Sequence, residues 1–195
     1  MYKVVLASAS PRRRDLLTEA GISFEVVVSD VDENIVMTTP PLFVKELALL
    51  KAASVAGSCK GCNLVIGADT IVCIDGEVLG KPVGYGDARR MLKRLSGRIH
   101  QVYTGVCIID SVTGKAVCRH DVTCVAFRHL SNKDIRDYVK TREPLDKAGA
   151  YGIQGLGGKL VRGIKGSYDN VVGLPMQVVW DILKTEFDYQ KKINI

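Results

Sequence analysis

Residues 67–82 read Gly67-Ala68-Asp69-Thr70-Ile71-Val72-Cys73-Ile74-Asp75-Gly76-Glu77-Val78-Leu79-Gly80-Lys81-Pro82. Two runs rich in apolar and β-branched residues flank Asp75-Gly76, a dipeptide typical of a two-residue hairpin turn. The segment therefore predicts two antiparallel strands, and a two-residue turn pairs Ile74 with Glu77.

The first of these strands carries one carboxylate, Asp69, in an otherwise apolar run. A buried carboxylate is costly unless a cation, a metal or a hydrogen-bond donor meets it, so Asp69 is a candidate functional residue. Regular pairing would place Thr70 opposite Lys81, whereas a bulge at Gly80 would bring Asp69 and Lys81 together. A hairpin in which Asp69 merely ends a strand accounts for the same pattern.

The rest of the chain alternates predicted strands and helices. Strands are expected at 2–7, 22–29, 98–109, 116–128 and 160–164, and a turn at 167–170. Helices are expected at 41–56, 87–95, 131–141 and 176–187, together with one that begins at Pro11 and ends at Gly21. A chain of 195 residues with this composition forms one large domain or two small lobes, and we expect a single domain over 1–195.

The composition also bears on location and partners. No apolar run reaches the length of a membrane span and the N-terminus does not resemble a signal peptide, so we expect a cytoplasmic protein without a membrane partner. The net charge of +6 favours acidic partners. Because basic clusters are confined to 12–14 and 89–90 and aromatics make up only 6% of the chain, we expect a local anion site and no stable nucleic-acid complex.

The cysteines do not form an evident framework. All six are scattered over predicted strands and loops, which is typical of reduced cytosolic thiols. Cys59 and Cys62 have the spacing of half a zinc site, but no second pair accompanies them and no histidine lies at ligand spacing. We therefore interpret this pair as two thiols in a loop.

The first strand leads directly into a helix start that is rich in phosphate-binding groups. Ser10 is the expected N-cap and Pro11 the first helical residue. The free N–H groups of a helix start coincide here with the hydroxyls of Ser8 and Ser10 and with two or three of the guanidinium groups of residues 12–14. This composition favours a phosphate cradle, although a capped surface helix with solvated arginines has the same pattern.

Two further charged positions are candidates for a site. The loop 30–34, which includes Glu33, carries carboxylates without basic neighbours and could supply a metal ligand or could simply be solvated. Lys51 lies on the apolar stripe of its helix, four residues from Leu47 and from Val55. Such a lysine either extends to water or points inward toward an anion.

Residues 143–158 combine dense glycines with charges, Tyr151 and Gln154. Glycines at this density let the backbone approach a ligand closely, and they also occur in flexible linkers. The apolar residues among them favour an ordered loop. We interpret His100, by contrast, as a packed or strand-edge residue.

Six motifs spread over nearly the whole chain resemble those of the Maf family of nucleoside triphosphate pyrophosphatases: Ser8-x-Ser10-Pro11-Arg12-Arg13, Gly67-Ala68-Asp69-Thr70, Gly80-Lys81-Pro82, Ser96-Gly97 with His100-x-Val102-x-Thr104-Gly105, the run 146–155, and Asn170-Val171-Val172-Gly173-Leu174-Pro175. The resemblance implies an α/β fold related to inosine triphosphatase, with an elongated central mixed sheet flanked by helices and a cleft between two lobes. It is closest to the branch that hydrolyses dTTP and UTP, and the family is historically linked to septum formation.

The resemblance also implies roles for individual residues. Phosphates would be held by Ser8, Arg12 and Arg13, with Ser10 beside them. The reactive centre, with Mg²⁺ or Mn²⁺ bound by Asp69 and Glu33, would consist of Asp69, Glu33, Lys51 and Lys81. The accepted base would depend on Arg12, Thr70 and Gln154, and a homodimer is expected.

Two other functions account for part of this pattern. A non-enzymatic regulator of cell division, binding nucleic acid or a protein, would use the basic surface but has no need of Asp69 and Glu33. A housecleaning pyrophosphatase for non-standard nucleotides would use the same residues on a different substrate. Pyrophosphate release from a panel of nucleotides distinguishes these three functions.

Overall fold

The computed structural model describes residues 2–36 and 38–190. The strands are β1 (Lys3–Leu6), β2 (Phe24–Val26), β3 (Asn63–Ile74), β4 (Glu77–Leu79), β5 (Ile99–Asp110), β6 (Ala116–Phe127) and β7 (Val161–Lys165). The helices are α1 (Pro11–Glu19), α2 (Pro40–Ala56), α3 (Tyr85–Leu95), α4 (Asn132–Lys140), α5 (Tyr168–Val172) and α6 (Met176–Phe187). Short 3₁₀ turns lie at Glu143–Asp146, Ala148–Ala150 and Leu156–Leu160. None of the helices in these ranges is both long and apolar enough to cross a membrane.

The strands form a seven-stranded mixed sheet in the order β2-β1-β3-β5-β6-β7, with β4 paired to β3. Strand β1 runs parallel to both β2 and β3, whereas β4 and β7 are antiparallel to their partners. Helix α1 makes the crossover between the parallel strands β1 and β2, and a two-residue turn joins the antiparallel strands β3 and β4. Strands β6 and β7 are joined through residues 128–160, which include α4. The predicted mixed α/β fold is confirmed.

The chain divides into two compact units. The first contains 1–69, 104–121 and 173–195, and the second contains 70–103 and 122–172, so β3, β5 and β6 contribute residues to both. Each unit has its own apolar cluster: Val5, Ala48, Ala52 and Val65 belong to the first, and Phe127, Tyr138 and Tyr151 to the second. The single domain expected over 1–195 stays a prediction.

The central hairpin forms with the expected turn and register. Ile74 pairs with Glu77, and Asp75 and Gly76 both have positive φ angles, 54° and 76°, as a type I′ turn requires. The ladder ends where Val72 meets Leu79, so the expected pairing of Thr70 with Lys81 is not part of it.

Three other expectations about local structure need correction. Strand β2 covers only Phe24–Val26, because its ladder with β1 ends where Leu6 pairs with Val26. The turn expected at 167–170 is instead the beginning of α5. Ser10 occupies the N-cap position of α1, but its side chain does not bond the helix N–H groups.

The expectation of reduced thiols is wrong for two of the cysteines. Cys107 and Cys118 form a disulfide, with their Cα atoms 4.1 Å apart. The N–H of Asp110 bonds the carbonyl of Lys115 across the turn between β5 and β6. Counting back three residues on β5 and forward three on β6 places Cys107 and Cys118 directly opposite each other, where cross-strand side chains meet.

Candidate functional site

The first unit buries a lysine between two carboxylates. The Nζ atom of Lys51 lies 2.6 Å from Oδ1 of Asp69 and 3.1 Å from Oε1 of Glu33. Lys51 and Asp69 are only 8% and 9% exposed, whereas Glu33 lies in an exposed loop. Lys51 therefore points inward and meets the anion that such a position requires.

Helix α2 lies close enough for this contact because residue 67 on strand β3 is a glycine. Gly67 and Asp69 are two residues apart on β3 and so face the same side of the strand. A Cβ atom at Gly67 would overlap the carbonyl oxygen of Ala48 and the backbone of Ala52. These two residues flank Lys51 on α2, so the missing side chain at Gly67 lets the Lys51 segment approach Asp69.

A glycine on β5 allows the same close approach further along α2. A Cβ atom at Gly105 would overlap the backbone of Val44. Neither Gly67 nor Gly105 was identified as a site residue from the sequence. The signal for both was available, because glycine inside an apolar strand often marks the close approach of another backbone.

Arg13 occupies the start of α1, half-buried, where β1 ends. Its Nη1 donates to Oγ of Ser8 at 3.2 Å and its Nε donates to the carbonyl of Gly173 at 2.7 Å. Ser8 is itself 7% exposed, and its Oγ accepts the N–H of Ser10 at 3.2 Å. These contacts fix the direction of the guanidinium group. The motif that contains Gly173 did not indicate that its carbonyl would bind Arg13.

The electrostatics of Arg13 link it to the two carboxylates. Burial lowers the pKa of Arg13 and the neighbouring Arg12 lowers it further, while the charges of Asp69 and Glu33 act in the opposite direction. The guanidinium group thus lies within the field of both carboxylates. The first unit therefore brings together five predicted site residues: Ser8, Arg13, Glu33, Lys51 and Asp69.

The remaining predicted residues have different surroundings. Ser10 and Arg12 are half-buried at the start of α1, beside Arg13. Thr70, Lys81 and Gln154 belong to the second unit. Thr70 is half-buried on β3, and Lys81 and Gln154 are exposed.

The two carboxylates at Lys51 also bear on metal binding. Across 2–36 and 38–190 there is no group of three or more His, Cys, Asp or Glu side chains able to hold a metal ion. Mg²⁺ is usually held by one or two carboxylates, with waters and substrate phosphates completing its shell. The pair Asp69 and Glu33 fits a metal that binds together with a phosphate.

Comparisons with known proteins extend over almost the whole chain. A family model described as Maf-like protein matches residues 3–186. A dTTP/UTP pyrophosphatase from Moorella thermoacetica is 52% identical over 184 residues, which cover 94% of each chain. Proteins of the same name from Thermococcus onnurineus and Clostridioides difficile are 51% and 48% identical, covering 94% of this chain and 98% and 95% of theirs.

A solved structure is also similar, at lower identity. A HAM1 protein from Coxiella burnetii is 18% identical with a TM-score of 0.44, covering 65% of this chain and 73% of the other. The family assignment rests on the family model and the three relatives. The model matches nearly the full length of the chain, and the relatives do so at about 50% identity. The motif resemblance is confirmed, and this chain belongs to the Maf family.

Proposed function

We propose that this protein is a nucleoside triphosphate pyrophosphatase that hydrolyses dTTP and UTP to the nucleoside monophosphate and pyrophosphate. The names of its relatives support the activity and the substrates. The observation that carries the proposal is the buried Lys51 held by Asp69 and Glu33, within the field of Arg13. A cluster of opposite charges at a helix start suits a polyphosphate and its cation.

The chain's own residues then have distinct tasks. Arg13, directed by Ser8 and Gly173, binds a phosphate through its guanidinium group, with Arg12 and Ser10 beside it. Lys51 and Lys81 stabilise negative charge on the phosphate oxygens. With Oδ1 of Asp69 engaged by Lys51, its Oδ2 either accepts a proton from the attacking water or binds the metal.

Asp69 and Glu33 would hold the divalent ion, Mg²⁺ or Mn²⁺, which supplies neutralisation of phosphate charge and polarisation of the scissile group. The two carboxylates have to share their oxygens between this ion and Lys51. Loss of either carboxylate should therefore weaken metal dependence as well as turnover.

Base recognition falls to Gln154, with Thr70 and Arg12 as further contributors. The amide oxygen of Gln154 would accept the N3–H of uracil or thymine, and its NH₂ would donate to O4. Cytosine presents the opposite pattern at these two positions. Selection for UTP over CTP follows from this complementarity.

The test is pyrophosphate release from UTP, dTTP, CTP, GTP, ATP and modified pyrimidine triphosphates, with and without Mg²⁺. We expect release from UTP and dTTP that is lost on chelation. Arg13→Ala should reduce it strongly, and Arg14→Ala, at an exposed position on the same helix, is the matched control. Failure to release pyrophosphate from any nucleotide would favour a binding protein, and preference for a modified nucleotide would favour housecleaning.

We also propose that the protein acts in the cytoplasm as a homodimer without a stable nucleic-acid partner. Its family membership and the confinement of its basic clusters to short segments support this. Sedimentation of the purified protein tests the dimer directly.

A further inference from the structure

The carboxylate of Glu143 lies at the centre of the glycine-rich segment of the second unit. Its Oε1 accepts the hydroxyl of Tyr138 at 2.9 Å and the N–H of Gly157 at 3.1 Å. Its Oε2 accepts the N–H of Leu156 at 2.9 Å. One side chain thus holds two consecutive backbone amides of a loop 13 and 14 residues further along the chain.

Tyr138 extends this arrangement to the other side of the loop. Its hydroxyl accepts the N–H of Gly152 at 3.2 Å while it donates to Glu143. The carbonyl of Glu143 in turn accepts Nζ of Lys147 at 2.8 Å. The segment 152–157 is therefore held at both ends by the same pair, Tyr138 and Glu143, which we call the Glu143 clamp.

The glycines of this segment are required by the clamp. A Cβ atom at Gly155 would lie 2.6 Å from both carboxylate oxygens of Glu143, and one at Gly157 would lie 2.5 Å from the Tyr138 hydroxyl. Any side chain at either position would push the backbone away from the carboxylate. The glycine density thus reflects close packing around Glu143 and not flexibility.

Gln154 lies in the middle of the held segment. Ile153, before it, packs against the apolar cluster of the second unit. Leu156, two residues after it, is bonded to Glu143, and the N–H of Gly158 bonds the carbonyl of Gly155 at 3.1 Å. The backbone is thus restrained on both sides of Gln154. Gln154 itself remains exposed and available to a ligand.

The charge of Glu143 is maintained in this position. Burial raises the pKa of Glu143, but the amides of Gly157 and Leu156 and the hydroxyl of Tyr138 outweigh it, and the pKa falls below its usual value. An ionised carboxylate accepts all of these bonds, since it has two acceptor oxygens and no donor. The clamp is complete at neutral pH.

We propose that Glu143 is a positioning residue for base selection, which acts by fixing the backbone that presents Gln154 to the pyrimidine. This inference rests on the proposed function, because it assigns Gln154 to the base. The Glu143 carboxylate bonds Tyr138 on α4 and the amides of Leu156 and Gly157, and we assign it no contact with the reacting phosphates. Its loss should therefore alter the choice of base more than the rate of the chemical step.

The principal variant is Glu143→Gln, which keeps the shape but places an NH₂ group opposite N–H donors. We expect the ratio of kcat/KM for UTP over CTP to fall about tenfold, with KM for UTP rising and kcat nearly unchanged. Gln154→Ala should lower the same ratio. Because both changes act on one interaction, the double variant should be no less selective than Gln154→Ala alone.

A control and a second readout separate positioning from loss of structure. Asp137→Asn removes an exposed carboxylate from α4, where it pairs with Lys133, and should leave the ratio unchanged. Amide hydrogen exchange at 152–158 should accelerate in Glu143→Gln and not in Asp137→Asn. If Glu143→Gln does not fold, Tyr138→Phe, which removes one donor to the carboxylate and the acceptor for Gly152, should give a smaller fall in the same ratio.

These measurements separate failure of the proposed function from failure of the inference about Glu143. If the unmodified protein releases no pyrophosphate, the proposed function is wrong and this inference is wrong with it. If that protein is active and prefers UTP but Glu143→Gln keeps the full preference, only the inference is overturned. Independent, multiplying losses in the double variant would overturn it as well, because Glu143 would then not act through Gln154.

Discussion

The Nζ atom of Lys51 and the Oδ1 atom of Asp69 lie 2.6 Å apart, joining helix α2 to strand β3 in the interior of the first unit. Removing two charges from water costs several kcal/mol per ion, and an ion pair in the interior seldom stabilises a protein more than apolar residues would. Retaining such a pair is understandable if its charges act on a substrate.

Asp69→Asn keeps the size of the side chain but removes its charge and its basicity. We expect kcat to fall at least about a hundredfold, since a general base or a metal-binding carboxylate is lost. Steady-state pyrophosphate release at saturating Mg²⁺ measures this. Near-normal turnover would refute the assignment of Asp69. A fall that is repaired by Mg²⁺ concentrations above those that saturate the unmodified protein would identify it as a metal ligand.

The pair should also show strong coupling in stability. Lys51→Met leaves the buried Asp69 without its cation and should lower the free energy of unfolding by about 3 kcal/mol. Asp69→Ala leaves the buried Lys51 paired with the exposed Glu33, so its loss should be smaller. The double variant should lose clearly less than the sum, because neither charge remains. Urea denaturation of the four proteins measures the coupling. Additive losses would show that the contact does not form in solution.

Gly67→Ala tests the close approach of α2 to β3. The added methyl group overlaps the backbone of Ala48 and Ala52, so we expect a loss of about 1–3 kcal/mol in the free energy of unfolding. Activity should fall as well, because Lys51 moves away from Asp69. Gly86→Ala is the matched control: a Cβ atom there meets nothing within 4 Å, and alanine favours its helix.

His100 should make the protein less stable in mild acid. It is 1% exposed, its Nε2 lies 2.8 Å from the Tyr151 hydroxyl, and burial lowers its pKa from 6.5 to about 4. Between these two values the unfolded chain binds a proton that the folded chain does not. Stability from this residue is therefore complete above pH 6.5 and decreases toward pH 4, by about 3 kcal/mol in all.

The measurement is the free energy of unfolding as a function of pH. His100→Gln should flatten the decrease between pH 6.5 and 4, whatever its effect at neutral pH. His129→Gln, at an exposed position, should leave the slope as it is. An unchanged slope in His100→Gln would mean that this histidine is not kept neutral by burial.

The disulfide can be counted chemically. With Cys107 and Cys118 paired, unreduced denatured protein should expose four reactive thiols, Cys59, Cys62, Cys73 and Cys124, and reduced protein all six. Closing a loop of this length stabilises a fold by at most about 3 kcal/mol. Thiol titration of freshly purified protein gives the number directly, and six thiols without reductant would show that the bond is absent in solution.

Local sequence patterns predicted elements whose determinants are close together in the chain. Asp75-Gly76 specified its turn and the register beside it, and the run ending in Pro175 predicted a last helix from Met176 to about Phe187, which agrees with α6. Lys51 is recognisable from the sequence as a charge within an apolar stripe, which either extends to water or meets an anion. The family motifs then implied which residues form the site, without giving their contacts.

Contacts between distant segments were decided by tertiary structure. The sequence by itself determined that Asp69 and Lys51 would each need a partner if they were buried, because burial of a lone charge is unfavourable wherever it occurs. Only the fold decided that they are each other's partner, with Glu33 as a third member, since that depends on α2 closing onto Gly67. The same holds for Glu143, whose role becomes visible only when a loop 13 residues away folds back onto its carboxylate.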